Sequence, residues 1–262
     1  MSVHIGIGGW TYVPWRGVFY PETLRQADEP AYAAAHLTGI EVNGTFYRRQ
    51  KPETFAKWRD AAPTKGFRYA LKASRYATNR KDLREAGDAA ANFCDQGIAE
   101  LEHTLGPINW QLAPAKRFDA DEIAGFLDLL PAKAGGVALR HAIEARHESF
   151  VCETFIELAR ERGVAIVIGD HPEYPQIADL TADFAYVRVM RAEEERKAGY
   201  TDAALDEWAR RAQSWGDGHA PEGLNYVSAR EPTADERDVF LFFIGAAKVR
   251  NPAAAQTVIE RL

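Results

Sequence analysis

Short apolar runs suited to β-strands alternate with amphipathic helical stretches along almost the whole chain of 262 residues. This alternation constrains the fold most, because strands separated by helices pair in parallel within one sheet. Eight candidate strands in a chain of this length favour a TIM (β/α)8 barrel over an open doubly wound sheet. The candidates are Val3–Gly8, Ile40–Asn43, Phe67–Ala73, Ile108–Leu112, Arg140–Arg146, Ala165–Asp170, Phe184–Val189 and Val239–Ile244.

Helical patterns fill most of the intervals between these strands. No Pro/Ser-rich linker divides the chain, so residues 1–262 are expected to form a single domain. The segment Gly216–Asp238 has neither periodicity and is expected to be a long irregular loop before the last strand. The predicted helices are Pro30–Leu37, Glu53–Asp60, Leu83–Leu105, Ala120–Leu130, Phe150–Arg162, Ala203–Trp215 and Pro252–Leu262.

The composition is that of an ordinary soluble globular protein, with 46% apolar and 27% charged residues. No apolar run approaches a membrane span, and the beginning "MSVHIGIGGW" lacks a signal-peptide pattern. We therefore expect a cytoplasmic protein with no membrane partner. Cys94 and Cys152 lack metal-site spacing and are expected to be reduced thiols.

Charge is distributed unevenly along the chain. The net charge is −6, but residues 48–84 contain twelve Lys or Arg and three Asp or Glu, a local charge of +9 against −15 elsewhere. This asymmetry suggests an anionic ligand or partner near that segment. A solvated basic face spread over two helices is the simpler alternative. The overall negative charge argues against a nucleic-acid partner, although the basic segment keeps that class open.

The glycine-rich first strand resembles a dinucleotide-binding fingerprint. However, "GIGIGG" lacks the third glycine, and "WTYVPWRGVFYP" follows it where a helix should begin. We therefore expect no nicotinamide cofactor, and nothing else in the sequence indicates an organic cofactor.

Polar side chains end six of the eight predicted strands. In "GIEVNGTFY", Glu41 and Asn43 lie two residues apart and are expected to share one face of a strand. At the carboxyl ends of parallel barrel strands such side chains converge on one opening. Opposite charges there would keep each other ionised. The alternative is a set of separate ion pairs that seal the barrel mouth. The expected mixed-charge cluster consists of Glu41, Lys72, Glu144, Arg146, Asp170 and Arg188, and Gln111 is the polar residue at the end of a further strand.

The chemistry of these groups predicts their roles. Glu41 and Glu144 are candidates for general acid and base, because carboxylates in unlike surroundings can have divergent pKa values. Lys72 could donate a proton, form a Schiff base or act as a counter-ion. Asp170 is a further catalytic candidate. No His-x-x-x-His or dense carboxylate pattern accompanies these residues, so no metal is expected.

Substrate-binding roles are predicted for a second group. Arg146 and Arg188 are candidate clamps for an anion or carboxylate, and Asn43 and Gln111 are expected to orient a polar substrate. His147 would face away from Arg146 in a continuing strand, so a core role and a catalytic role stay equally open.

An aromatic loop follows the first strand and would border the same opening. Its rings could stack on a sugar or base, or they could form a hydrophobic cover over the barrel rim. Its members are Trp10, Tyr12, Trp15, Phe19 and Tyr20.

Several motifs carry a family resemblance. "GIGGWTYVPWRGVFYP", "EVNGTFY", "FRYALKASRYATN", "GPINWQLAP", "EARHESF" and "ADFAYVRV" occur in this order between Gly6 and about Arg188, and "FLFFIGAAKVRNPAAA" continues the pattern weakly. They resemble the signatures of the domain-of-unknown-function-72 family, the YecE-like proteins. The resemblance implies a TIM barrel with a polar pocket at the strand carboxyl ends, and it implies no particular reaction. The matching residues are Trp10, Tyr12, Glu41, Asn43, Tyr47, Lys72, Gln111, Glu144, Arg146, His147 and Arg188.

The chain departs from the family pattern at four places. Thr78-Asn79 stands where members often have Thr-His, and "RVMR" stands where Arg-x-His-Gly is common. Phe150 replaces a usual tryptophan, and "FLFFIGAA" lacks the usual Phe-Asn-Asn. A mechanism that requires those histidines or asparagines is therefore not expected here.

Two classes of function fit these observations. The first is a cofactor-independent acid–base enzyme, of the hydrolase, lyase or isomerase type, acting on a small polar and anionic metabolite. The second is a non-catalytic binding protein for an anionic ligand or a nucleic-acid end. The sequence leaves the oligomeric state open.

Overall fold

Eight parallel strands form a closed barrel in which each strand pairs with its neighbours in chain order and the last returns to the first. The computed structural model describes residues 2–63, 65–229 and 236–262. The predicted TIM barrel is confirmed. The strands are β1 Val3–Gly8, β2 Gly39–Val42, β3 Arg68–Lys72, β4 Leu105–Gln111, β5 His141–Glu144, β6 Ala165–Asp170, β7 Phe184–Val189 and β8 Asp238–Phe243.

Helices surround the barrel and bury the outward-facing strand residues, such as Ile5, Ile7 and Ile143. The α-helices of the described residues are α1 Glu29–His36, α2 Gly44–Tyr47, α3 Pro52–Ala61, α4 Arg75–Thr78, α5 Gly87–Cys94, α6 Ala120–Asp128, α7 Glu153–Glu161, α8 Asp202–Gly216 and α9 Asn251–Ile259. Short 3-10 helices span Val13–Trp15, Gln26–Asp28, Leu83–Ala86, Ile98–Thr104, Glu148–Phe150 and Lys248–Arg250, and Lys133–Ala134 pairs with Val137–Ala138 in a small antiparallel hairpin. No described helix is long and apolar enough to cross a membrane.

Large rings fill the lower part of the barrel interior. Phe184 and Phe240 lie 5.9 Å apart between ring centroids, and Tyr186 and Phe242 form the next pair at 5.5 Å. Because side chains alternate along a strand, Phe184, Tyr186 and Arg188 of β7 all point into the barrel. The apolar floor thus leaves space for charged groups only towards the carboxyl ends of the strands.

The amino-terminal end of the barrel is closed by Arg140. Its guanidinium lies 4.9 Å from the Phe240 ring centroid and 5.4 Å from that of Phe184, and Nη1 donates to Asp238 at 2.8 Å. A ligand therefore has access to the interior from the carboxyl end.

The glycine at position 6 is explained by strand packing. A Cβ at this position would lie 1.7 Å from the carbonyl oxygen of Gly39 on β2, far inside any tolerable contact. Glycine is thus needed where β1 and β2 approach each other, and the apparent dinucleotide motif reflects barrel geometry.

The main differences from the predicted elements concern one helix and the ends of two strands, whereas the described part of the expected long loop is irregular as predicted. The helix expected over Leu83–Leu105 is divided into Leu83–Ala86, Gly87–Cys94 and Ile98–Thr104, and Gly97, with a φ of 107°, separates the last two. β2 ends at Val42 and β5 ends at Glu144, so Asn43 and Arg146 lie just beyond their strands. Residues 217–229 and 236–237 of the expected long loop contain neither helix nor strand, and residues 230–235 lie outside the described part of the chain.

Candidate functional site

Arg188 lies at the centre of an ionic network inside the barrel. Its Nη1 donates to Glu144 Oε2 at 2.6 Å, and its Nη2 donates to Glu41 Oε1 at 3.2 Å. The hydroxyl of Tyr186 donates to Glu41 Oε2 at 2.7 Å. Glu41 is fully buried, and Arg188 and Glu144 are each 3% exposed. The guanidinium of Arg188 compensates the charges of both carboxylates, which explains how Glu41 can be buried inside the barrel.

The second side of Glu144 is held by β4 and by the segment after β5. Arg146 Nε donates to Glu144 Oε1 at 2.8 Å, and Asn109 Nδ2 donates to Oε2 at 3.1 Å. The side-chain oxygen of Gln111 accepts from Arg146 at 2.8 Å and from Arg188 at 3.3 Å. Arg146 lies outside the strand, but its side chain folds back to the same network.

These contacts fix the ionisation of the buried groups. Burial opposes the charge of Glu144, but Arg188 and Arg146 outweigh it and lower the pKa of Glu144 to about 2. Burial likewise opposes the charge of Arg188, yet Glu144 and Glu41 raise its pKa. Burial, reinforced by Glu41, raises the pKa of Tyr186 well above its usual range. At neutral pH Glu144 is therefore an anion that orients cations, and its proton is not available for transfer.

Lys72 ends β3 beside this network and differs from its other members. It is 8% exposed, and its Nζ lies 4.1 Å above the ring centroid of Phe46. Among the described residues no carboxylate forms an ion pair with it and no acceptor forms a hydrogen bond with Nζ. Burial, aided by Arg188 and opposed by Glu41 and Glu144, lowers its pKa to about 8. Lys72 can therefore exchange a proton close to neutral pH.

A cavity of about 1090 Å³ opens above the network at the carboxyl ends of the strands. Among the residues predicted from the sequence, its walls include Trp10, Asn43, Tyr47, Lys72, Gln111, Arg146 and Arg188. Trp10 packs edge-on against Trp58 at 5.1 Å between centroids, which fixes one wall. The structure thus places seven predicted residues at one opening, directly above Glu41 and Glu144.

Three predicted residues belong neither to the cavity walls nor to the ionic network below them. The carboxylate of Asp170 pairs with Arg191 at 2.8 Å, and the side chain of His147 caps the 3-10 helix Glu148–Phe150 through Ser149. Tyr12 packs on the buried Trp15 and lies under Lys248, 4.6 Å from its Nζ. Trp15, Phe19 and Tyr20 are buried, so this end of the aromatic loop forms a cover over the rim.

Three basic residues that line the cavity were not predicted as site residues from the sequence. Arg48 lies at the end of α2, Lys248 begins the 3-10 helix after β8, and His171 follows β6. All three residues lie beyond the strand ends that guided the prediction. Lysine and arginine in the first turns after barrel strands would have been the signal.

Metal ligands and cofactor motifs are not evident at this site. Within residues 2–63, 65–229 and 236–262, no group of three or more His, Cys, Asp or Glu side chains is arranged to hold a metal ion. The charged side chains that line the cavity among the described residues are Arg48, Lys72, Arg146, Arg188 and Lys248, all of them cations.

The closed parallel barrel and the charged cavity at its carboxyl end define a TIM-barrel protein with an enzyme-like architecture. The chain belongs to the family described as "Protein of unknown function DUF72", which matches residues 4–262.

Individual relatives agree with this assignment. The chain is 26% identical over 167 residues to UPF0759 protein YecE of Escherichia coli strain K12, a match covering 62% of this chain and 55% of that protein. The matched region thus spans about half the length of that relative. A DUF72 family protein from Thermotoga maritima has 19% identity and a TM-score of 0.74, with 99% of this chain and 98% of that chain covered.

A structure of D-psicose 3-epimerase in the presence of D-fructose has 13% identity and a TM-score of 0.53, with 100% of this chain and 98% of that chain covered. At these identities the two structural likenesses show the barrel fold alone.

Proposed function

We propose that the cavity is the active site of an enzyme that acts on a small polar, anionic metabolite by acid–base chemistry, as in hydrolysis, elimination or isomerisation. The observation that carries this proposal is Lys72, a nearly buried amine that has no ionic partner among the described residues and lies beside a network in which Glu41, Glu144, Arg146 and Arg188 are paired. Burying an ammonium ion without a partner costs free energy. A bound anion would supply the missing negative charge and offset the cost of burying Lys72.

The charge of the cavity favours an anion. Arg146 and Arg188 neutralise Glu144 and Glu41, so these four groups balance. The cations that remain are Lys72, Arg48 and Lys248, and none of them has a carboxylate partner among the described residues. A phosphate or carboxylate group would meet this excess of positive charge.

Separate roles follow for the residues of the site. Lys72 exchanges a proton with the substrate, because its pKa of about 8 lies near the working pH. Glu41, Glu144 and Arg188 are paired with one another and set the electrostatic environment of Lys72, so in this proposal the two carboxylates have a positioning role in place of the acid–base roles expected from the sequence. Gln111 and Asn43 offer polar contacts at the cavity wall.

A non-catalytic protein that holds the same anion is the second candidate. The saturated contacts of Glu144 favour this alternative, because they remove a carboxylate acid or base from the site and leave proton exchange to Lys72 and His171 among the described cavity residues. The two candidates differ in the fate of the ligand: the enzyme converts it, and the binding protein releases it unchanged.

A conversion assay tests the proposal. The protein is incubated with phosphorylated and carboxylated sugars, and the products are followed by proton and phosphorus NMR. We expect conversion of at least one compound by the wild type, and a rate about 100-fold or more lower in Lys72→Met, the usual loss for a general acid or base.

Lys65→Met is the matched control, since this exposed lysine precedes β3 at the opposite end of the barrel. Equal rates in Lys72→Met and the wild type would refute the role of Lys72. A compound that binds and persists unchanged would favour the binding protein.

A further inference from the structure

Two exposed tyrosines flank an arginine beside the cavity mouth. Tyr47 at the end of α2 is 60% exposed and Tyr76 in α4 is 65% exposed, whereas Tyr69 and Tyr186 are fully buried. The guanidinium carbon of Arg75 lies 5.9 Å from the ring centroid of Tyr47 and 5.7 Å from that of Tyr76. Arg75 therefore lies between two aromatic rings that face solvent and contacts both of them. Exposed rings add little to the stability of the core, so their position is not explained by folding.

Unpaired positive charge surrounds these rings. Arg48, Arg49, Arg75 and Arg80 form no ion pair with a carboxylate among the described residues, whereas Arg84 of the same basic segment pairs with Asp82 at 2.7 Å. Arg80 donates to the backbone oxygen of Tyr76 at 3.1 Å, which fixes its guanidinium beside that ring.

A second, smaller cavity lies under this surface. It has a volume of about 250 Å³ and is lined by Arg49, Tyr76 and Arg80, together with Ser74, Asn92 and the single carboxylate Asp88. Arginines thus outnumber the acidic groups here, in a protein whose net charge is −6. The local charge of +9 noted in the sequence is in part concentrated on one face.

We propose that this surface binds single-stranded nucleic acid. Unpaired bases can stack on the two exposed rings, and every base has a face that can do so. The arginines contact the phosphates between the stacked bases. Paired bases in a duplex keep their faces covered, so the rings select single strands. The Tyr–Arg surface consists of Tyr47, Arg48, Arg49, Arg75, Tyr76 and Arg80.

Fluorescence anisotropy with labelled oligonucleotides of about 12 nucleotides tests this proposal. Oligo-dT and oligo-rU are titrated with wild-type protein between about 50 and 200 mM salt. We expect saturable binding that weakens as salt rises, and weaker binding of a duplex of the same length. Comparison of the two oligonucleotides shows whether the 2′-hydroxyl contributes.

Substitutions separate stacking from charge. Tyr76→Ala is expected to weaken binding about tenfold, equivalent to ~1.4 kcal/mol, while Tyr76→Phe retains the ring and the affinity. Arg75→Gln is expected to reduce the slope of log affinity against log salt by about 0.7, the value for one single-strand phosphate contact. Because Tyr76 and Arg75 are exposed, circular dichroism should show unchanged folding.

Matched controls lie elsewhere on the molecule. Tyr226→Ala removes another partly exposed ring, and Lys133→Gln removes an exposed charge that precedes β5 at the opposite barrel end. Both should bind like the wild type. Wild-type affinity in Tyr76→Ala, equal losses in the controls, or binding to vesicles with anionic lipid but not to oligonucleotides would overturn the proposal. Lys72→Met should bind oligonucleotides normally, so this test stands apart from that of the active site.

Discussion

Replacing Arg188 with methionine is expected to lower the free energy of unfolding by about 3–5 kcal/mol, the cost of breaking a buried ion pair from one side. Arg188 is the group that connects Glu41 with Glu144. Without it the fully buried Glu41 retains only the hydroxyl of Tyr186 among its described partners. Denaturant titration followed by circular dichroism measures the loss.

Two further variants test the reason for this loss. In Arg188→Met combined with Glu41→Gln, most of the lost stability should return, because removing both charges of a buried pair is nearly neutral. Arg191→Met is the control, since Arg191 is 54% exposed and pairs with Asp170 near the surface. Its effect should stay below about 1 kcal/mol. A similar loss in Arg188→Met and Arg191→Met would show that the network is not the stabilising unit described above.

Replacing Lys72 with methionine should have the opposite effect and stabilise the protein at pH 7 by about 1–3 kcal/mol. The pKa of Lys72 is about 8 in the folded protein and 10.5 in the ordinary state, and one pKa unit corresponds to ~1.36 kcal/mol. Methionine has a similar length and removes the cost of burying the charge. A functional site that lowers stability is common in enzymes.

The pH dependence identifies the cause of this stabilisation. Below about pH 8 Lys72 is protonated in both the folded and the unfolded state, so its unfavourable contribution is fully present. Between about pH 8 and 10.5 the unfolded state binds more protons, so wild-type stability rises relative to the variant. The advantage of Lys72→Met should therefore shrink across this range, whereas Lys65→Met should stay close to the wild type throughout. A constant advantage at all pH values would contradict the lowered pKa.

The barrel could be predicted from the sequence because its signal is repeated. Each strand is an apolar run bounded by turns, and a single error in one run does not change the count of eight. The division of the helix expected over Leu83–Leu105 was not predictable from periodicity, because the apolar pattern continues through Gly97. A Cβ at that position would lie 2.7 Å from Pro52, so the turn at Gly97 is tied to a tertiary contact that periodicity does not reveal.

The ionic network could be predicted in part. Alternation along a strand placed Glu41, Glu144 and Arg188 at one barrel end, and the structure shows them in direct contact. The pairing itself was beyond sequence reasoning, since it depends on which strands face each other across the barrel. Tyr186 was not among the predicted site residues, although its hydroxyl donates to Glu41.

Residues beyond the strands were the least predictable part of the site. Arg146 lies two residues beyond β5 and reaches Glu144 with its side chain, whereas the carboxylate of Asp170 pairs with Arg191 and not with the network. The cavity cations Arg48 and Lys248 come from connecting segments, whose paths strand alternation does not determine.

The central claim is that Lys72 makes the cavity an anion-binding site, and a sulfate titration tests it most directly. The charge of sulfate is constant between about pH 6 and 9, so any pH dependence belongs to the protein. Melting temperatures are measured in sulfate and in chloride at equal ionic strength, which separates binding from screening. Sulfate also stabilises proteins by exclusion from their surface, and this effect is shared by every variant.

We predict a saturable rise in melting temperature for the wild type and Lys65→Met at pH 7, with the rise falling as Lys72 loses its proton above about pH 8. In Lys72→Met the affinity for sulfate should be at least tenfold lower, because a charge-assisted hydrogen bond contributes roughly 1.5–3 kcal/mol. Equal sulfate responses in the wild type, Lys65→Met and Lys72→Met would contradict the account.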